Sequence, residues 1–484
     1  MTSDGTLADL IGPHARRDPD RVALAHGKRR FTYGELAATA GAFAGRLHAA
    51  GAAGERVAMM LPNSPSTVMT YLACFAAGAV ATPLNSRFAP PEIERALRRA
   101  RPSWLVVHES RLPLLARVDP AVLAGVEQVV VDGTGLPEDD DPAPPAPDPD
   151  APAVMFFTSG STAAPKGVVH SQRSALAMLT STSEAMGDVG PDDVTQVCEP
   201  QVHVSGFIGT LTTLLGGGTV ALYDGFDLDT YVEGLLTHRP TLVCTHIDLL
   251  AQVVRDPRAG ADRFSSLRGV YTGGDTVPAA LQRDFLAVAD RPIAVGYGMT
   301  EAIWLTVQRT PRTDRDGCIG VPVGGAELRT DPATGEILVR GPMLMTGYWD
   351  DEPLTRASLA DGWLHTGDLG EPDAGGVWWF RGRLKDLIVR RTSKITPGEV
   401  ESAIDEHPDV ATSAVVAAPD AEEGQVPVAF VVLRPGRTLS ADALTAFLAD
   451  RIAAYKLPAR IHLRDALPLT ASGKVAHHDL HEPS

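Results

Sequence analysis

The residues that could do chemistry fall in five short segments. Thr158, Ser159, Gly160, Ser161, Thr162, Ala163, Ala164, Pro165, Lys166 and Gly167 follow an apolar run at 153–157. Glycine and small hydroxyl residues let a backbone approach phosphate oxygens and donate to them, and Lys166 adds a point charge. The Gly-Lys-Ser/Thr order of a P-loop is missing, so a plain P-loop ATPase is excluded. Read alone, the segment also describes a surface loop. Gly296, Tyr297, Gly298, Met299, Thr300 and Glu301 follow a second apolar run at 293–295. Tyr297 offers a flat face to a base, Thr300 a donor to an oxyanion, and Glu301 an oxygen ligand for Mg²⁺. The plain alternative is a strand-to-helix turn with Glu301 near a helix N-terminus. Asp368 closes a glycine-bearing stretch at 361–368, where its carboxylate could accept both hydroxyls of a ribose or bond its own turn. Arg383 and Lys385 lie in a charged stretch at 380–386. Lys474 ends Leu467-Pro468-Leu469-Thr470-Ala471-Ser472-Gly473-Lys474. There a lysine could neutralise charge developing on a carboxylate and phosphate, or simply be solvated.

The elements that must position these groups alternate in type. Apolar runs at 56–61, 80–83 and 104–107 read as strands. Amphipathic stretches ending at Leu47, at Ala77 and at Ala100 read as helices between them. This βαβα rhythm predicts a mostly parallel sheet with helices on its faces. Residues 132–152, rich in Pro and Asp, break the rhythm and read as an exposed connector. Strand signals resume at 153–157, 220–223, 241–245, 269–271 and 293–295. From about Leu328 the pattern turns antiparallel, with strands at 336–340 and 377–381. The last hundred residues hold strands at 413–418 and 428–433 and helices at 397–406 and 441–453, enough for a small α+β domain. No internal repeat is present.

Composition bounds the class. The chain has 484 residues, 44% of them hydrophobic, so it can bury a large core. A formal net charge of −17 argues against nucleic acid and anionic membrane as partners. Cys74, Cys198, Cys244 and Cys318 lie far apart with no CxxC, which fits a reducing compartment. The longest apolar stretch, from Met69 to Leu84, is short of the roughly 20 residues of a membrane span, and the first twenty residues lack a signal pattern. These features predict a cytoplasmic protein.

In this order and spacing the five segments resemble the AMP-forming acyl-CoA synthetase superfamily, from Phe31-Thr32-Tyr33-Gly34-Glu35-Leu36 to Lys474. The resemblance implies an α/β fold: a large N-terminal domain of mostly parallel sheets with a β-barrel-like subdomain, and a small, mobile α+β C-terminal domain. It implies a boundary between 1–384 and 385–484. It implies two half-reactions, in which a carboxylate and ATP give acyl-adenylate and pyrophosphate and the acyl group then passes to a thiol. On the matching positions, residues 158–167 are the phosphate loop, with Thr158 also a metal contact. Gly273, Gly274 and Asp275 are the adenine-side loop. Tyr297, Thr300 and Glu301 contact adenine, phosphate and Mg²⁺. Asp368 and Arg383 hold the ribose, Lys385 is the hinge, and Lys474 is the adenylation lysine. His203 packs over the acyl site. Val204, Phe207, Ile208 and Trp304 line a pocket for an apolar or aromatic acid, and no carboxylate stands out as dedicated to an ammonium group. Asp275 could serve, or could cap a helix at 277–285.

Three positions depart from the family pattern. Ala163 replaces a common glycine. Arg391 and Thr392 stand where CoA-using relatives carry a small pair beside the pantetheine arm. His477 replaces an arginine, in a His-bearing tail that could hold a metal or be plainly solvated. Arg391 and Thr392 are therefore acceptor-tunnel candidates. They keep open a second reading in which the adenylate meets a carrier-protein thiol, an amine, or an oxyacid such as nitrite in natural-product biosynthesis. CoA remains the leading acceptor, with ATP/AMP and Mg²⁺ as the other small molecules. A non-enzymatic nucleotide-binding protein is disfavoured by the joint presence of Lys474, Thr300, Glu301, Asp368 and Arg383.

Overall fold

A computed structural model describes residues 5–85, 88–137, 141–158, 166–258, 260–274, 276–312, 316–390, 393–420, 423–469 and 475–480, without the side chains of Lys394 and His478. The chain divides into two compact units. The first comprises Met1–Thr313, Ile319–Glu327 and Arg340–Leu364; the second Asp314–Cys318, Leu328–Val339 and His365–Ser484.

In the first unit, one seven-stranded sheet orders Gly347–Tyr348, Lys166–Ser171, Pro152–Thr158, Val80–Pro83, Arg56–Met60, Trp104–His108 and Glu127–Val131. The last five strands are parallel, and the first two close the edge antiparallel. Their apolar runs are buried on both faces, as parallel strands covered by helices require. The helix Tyr33–Ala49 starts at a capping box, Thr32 Oγ1 accepting from the Glu35 N–H and Glu35 Oε2 from the Thr32 N–H. The helix Pro65–Ala77 starts at Ser64 and stops at Gly78, which takes the left-handed conformation. The apolar stretch from Met69 is thus a buried helix followed by a buried strand, and no described helix is long and apolar enough to cross a membrane. Residues 141–151 carry no helix or strand and are largely exposed, with Asp150 paired to Arg173 at 2.9 Å.

Part of a second, larger sheet runs in the order Arg29–Thr32, Val22–His26, Thr219–Leu222, Val194–Val197, Leu242–Cys244, Gly269–Gly273, Ile293–Met299 and Ala302–Gln308. The six strands from Val22–His26 to Ile293–Met299 are parallel, with an antiparallel strand at each end. Mixed sheets with a parallel centre are therefore the architecture, with helices such as Val204–Leu215 covering their faces.

In the second unit, Trp363–Pro372 and Trp378–Arg383 form an antiparallel ribbon. The C-terminal sheet pairs Val410–Asp420 with Gly424–Leu433, flanked by Ile388–Arg390 and Arg460–Arg464. Ile388, Val400, Ile404, Val431, Leu444 and Leu448 make its core. The helix Pro397–Asp405 opens on a Thr396/Glu399 capping box and Ala441–Ala449 on Ser440. His477 bonds Glu401 at 3.2 Å, and this raises its pKa, so the imidazole is tied into the unit. Among the described residues no group of three or more His, Cys, Asp or Glu could hold a metal.

Candidate active site

Parallel strands end together, and the ends of Leu242–Cys244, Gly269–Gly273 and Ile293–Met299 share one rim of the second sheet. Gly273 and Gly296 lie side by side in register there. A Cβ on Gly273 would stand 2.4 Å from the Gly296 carbonyl oxygen, and one on Gly296 only 1.6 Å from Trp304 Cζ3. Both positions therefore need glycine. The Trp304 indole lies directly on Gly296, buried, with Tyr271 edge-on at 6.2 Å.

After Met299 the chain turns back into the strand Ala302–Gln308, with Met299 opposite Ala302. The strand-to-helix alternative for Thr300 and Glu301 is thereby corrected. The residues AIWLTVQ are rich in β-branched and aromatic side chains, and a strand buries them better than a helix. Glu301 is buried at this turn, its carbonyl accepting from the Met345 N–H at 2.8 Å. Its carboxylate accepts from the Tyr348 hydroxyl at 2.7 Å. Burial, reinforced by the Glu301 charge, pushes the Tyr348 phenol well above its ordinary range, so it stays a donor. The Lys166 ammonium stands 5.6 Å from the centroid of the Tyr348 ring. Lys166 is itself paired across the hairpin with Thr158. Thr158, Lys166, Tyr348 and Glu301 are thus linked through successive contacts, from the stems of the phosphate segment to the Thr300–Glu301 turn. From behind, His170 Nε2 donates to the Thr300 carbonyl at 2.8 Å. Full burial lowers the His170 pKa to about 4, so the ring is neutral, and its carbonyl partner assigns the proton to Nε2. Sequence reasoning missed both Tyr348 and His170. Neither sits in a motif, and each is made relevant by strand pairing with the phosphate hairpin.

Tyr297 lies inside the strand Ile293–Met299 and is mostly buried. His203 is exposed at the N-terminus of the helix Val204–Leu215, its Nδ1 3.0 Å from Ser205 Oγ. Val204, Phe207 and Ile208 are buried on that helix. Phe207 packs at 5.1 Å against both Tyr71 and Phe156, which makes it a core side chain. In the second unit Asp368 lies within a strand rather than on a free turn, opposite Arg383 in register. Its carboxylate is 3.5 Å from Arg383 Nε. The two residues that the resemblance assigns to the ribose therefore face one another. Lys385 is exposed in the short 3-10 turn Leu384–Asp386. The helix expected at 277–285 runs Ala279–Ala289 and carries no side-chain cap. Ser159, Gly160, Ser161, Thr162, Asp275, Arg391, Thr392 and Lys474 lie outside the described residues.

Residues 13–349 match the family model described as AMP-binding enzyme, and residues 399–474 the one described as AMP-binding enzyme C-terminal domain. The chain belongs to the AMP-binding enzyme family. This ligase is 35% identical to a feruloyl-CoA synthase of Amycolatopsis sp, covering 95% of each chain. It is 35% identical to the indoleacetate–CoA ligase of Aromatoleum aromaticum, covering 98% of each. The crystal structure of ATP-bound MatB from Rhodopseudomonas palustris superposes with a TM-score of 0.89, at 28% identity and 97% coverage of both chains. The ligase is therefore an adenylate-forming, AMP-releasing enzyme of the acyl-CoA synthetase superfamily.

Proposed function

We propose that this ligase activates a small carboxylic acid with an apolar or aromatic body and passes the acyl group to CoA. The observation that carries the reading is the linked set Thr158, Lys166, Tyr348 and Glu301 beside the Thr300 turn, at the rim where the parallel strands end. A carboxylate is a poor electrophile at neutral pH. Attack of its oxygen on the α-phosphorus of ATP forms a mixed anhydride and breaks the bond to the β-phosphate, releasing pyrophosphate. Lys166, Thr300 and Lys474 supply donors where negative charge gathers, and no covalent protein nucleophile is required. Glu301 and Thr158 offer hard oxygen donors that suit Mg²⁺, which when bound would screen the phosphate charge. Asp368, aligned by Arg383, accepts from the ribose hydroxyls, and Tyr297 lies along the base. In the second half-reaction the thiol sulfur attacks the acyl carbon and AMP leaves. We assign His203 to the wall of the acyl site, Lys385 to the hinge at the proposed 384/385 boundary, and the cytoplasm as the setting.

Arg391 and Thr392 favour a second reading, in which a carrier-protein thiol, an amine or nitrite takes the place of CoA. One measurement separates the two. The ligase is incubated with ATP, Mg²⁺ and a panel of acids, and AMP and pyrophosphate are followed with and without CoA. Acid-dependent AMP that rises with CoA, together with an acyl-CoA product, supports the first reading. AMP formation indifferent to CoA supports the second, and ADP would reject both.

A further inference from the structure

The strand Lys166–Ser171 does more than close the phosphate hairpin. Its side chains alternate between two faces. Val169 packs with Val80, Ala100 and Met155 on one of them. His170 takes the other and is 0% exposed, so no substrate can touch it. Its Nε2 donates to the Thr300 carbonyl at 2.8 Å. Its Nδ1 stands 3.5 Å from the Ser174 hydroxyl, in the first turn of the helix Gln172–Ala185, where Ser171 and Ser174 form a capping box. The neutral ring has one proton, and the carbonyl holds it on Nε2. A buried imidazole spent on a single backbone carbonyl is a costly way to hold a turn that burial of apolar side chains could hold as well.

The turn has a second attachment to the same strand. The Thr346 N–H and hydroxyl donate to the Val169 carbonyl at 2.8 and 3.0 Å, and the adjacent Met345 N–H donates to the Glu301 carbonyl at 2.8 Å. This route does not involve the imidazole. It anchors Glu301 whether or not the ring is present, so removing the ring frees the Thr300 carbonyl and leaves the turn attached. What the ring adds is orientation. No peptide bond among the described residues is cis. In a trans peptide the carbonyl and the following N–H point in opposite directions within one plane. Holding the Thr300 carbonyl therefore fixes the plane of the Thr300–Glu301 peptide and sends the Glu301 N–H away from the ring. It also fixes the backbone from which Thr300 presents its hydroxyl. Misplacing a donor by about 1 Å can cost about a hundredfold in rate.

We propose that His170 is a positioning residue for adenylate formation, which holds the Thr300 carbonyl so that the Thr300 hydroxyl meets the phosphate. This step rests on the adenylation reading above. The test is pyrophosphate exchange by the full chain with MgATP and the best acid of an aromatic and aliphatic panel. His170→Met fills the space without a donor and should lower kcat at least about tenfold, with both KM values within about threefold of wild type. His170→Gln sets an amide N–H about where Nε2 stands and should recover most of that loss. In a Thr300→Ala background the same His170→Met change should cost less than about twofold, because the group it positions is gone. Should His170→Met not fold, His170→Asn, polar but one methylene shorter than Gln, takes its place in both backgrounds. Equal losses in the two backgrounds, or a Gln variant as impaired as the Met variant, would make the ring structural only and overturn the proposal. A wild-type chain that exchanges with no acid would instead remove the adenylation reading itself, a failure distinct from any result with the variants.

Discussion

At the scale of single residues, three side chains separate roles that packing alone would merge. Lys474→Ala should fold as the wild type does and lose adenylate formation by about two to three orders of magnitude, because its charge matters only as negative charge gathers. Near-normal pyrophosphate exchange in that variant would sink the assignment. Tyr348→Phe deletes the donor 2.7 Å from Glu301 and leaves a buried carboxylate short of a partner. It should cost about 1–3 kcal/mol in urea unfolding and raise the KM for MgATP more than the KM for the acid. Trp304 lies on Gly296, with Tyr271 at its edge. Trp304→Ala should cost about 3–5 kcal/mol as a cavity, yet raise the relative kcat/KM for acids with bulk near the carboxylate. An unchanged acid preference would mean that the indole is core and nothing more.

At the scale of elements, the phosphate hairpin is fixed to the Thr300 turn by a group that titrates. His170 is buried neutral with its pKa lowered to about 4, against about 6.5 for a free imidazole. Between those values the unfolded chain binds more protons than the folded one, so stability falls as pH drops from about 6.5 toward about 4. The loss attributable to this ring is about 3 kcal/mol once both limits are passed. Urea midpoints across that range should show it, and His170→Asn should flatten the profile. The strands that frame this hairpin were legible because continuous apolar runs such as RVAMM at Arg56–Met60 are buried on both faces. The capping box at Thr32 and Glu35 marks a helix start just as openly. The strand Ala302–Gln308 and the strand holding Asp368 were not, because the glycine-bearing stretches 296–301 and 361–368 read equally as turns until their partners are known. Tyr348 and His170 were hidden for another reason. Each acquires meaning from a residue scores of positions away, which a side-chain hydrogen bond meets without leaving a local pattern.

At the scale of the whole molecule, the net charge of −17 and the handling of a polyanionic nucleotide are compatible because the compensating groups are few and placed. They are also divided. Lys166, Thr300 and Arg383 precede the proposed 384/385 boundary, and Lys474 follows it. On the proposed roles one half-reaction draws on Lys474 from beyond that boundary, and the next needs room for a thiol, which calls for a joint there. Lys385, exposed in its 3-10 turn, is where the joint is proposed. Proline there would fix φ near −65° and remove an N–H. Lys385→Pro should therefore keep pyrophosphate exchange within a few-fold of wild type while acyl-CoA formation falls at least about tenfold, since only the second step requires the joint to turn. Equal losses in both steps would place the effect on folding of the second unit, and no loss in either would move the joint elsewhere in the chain.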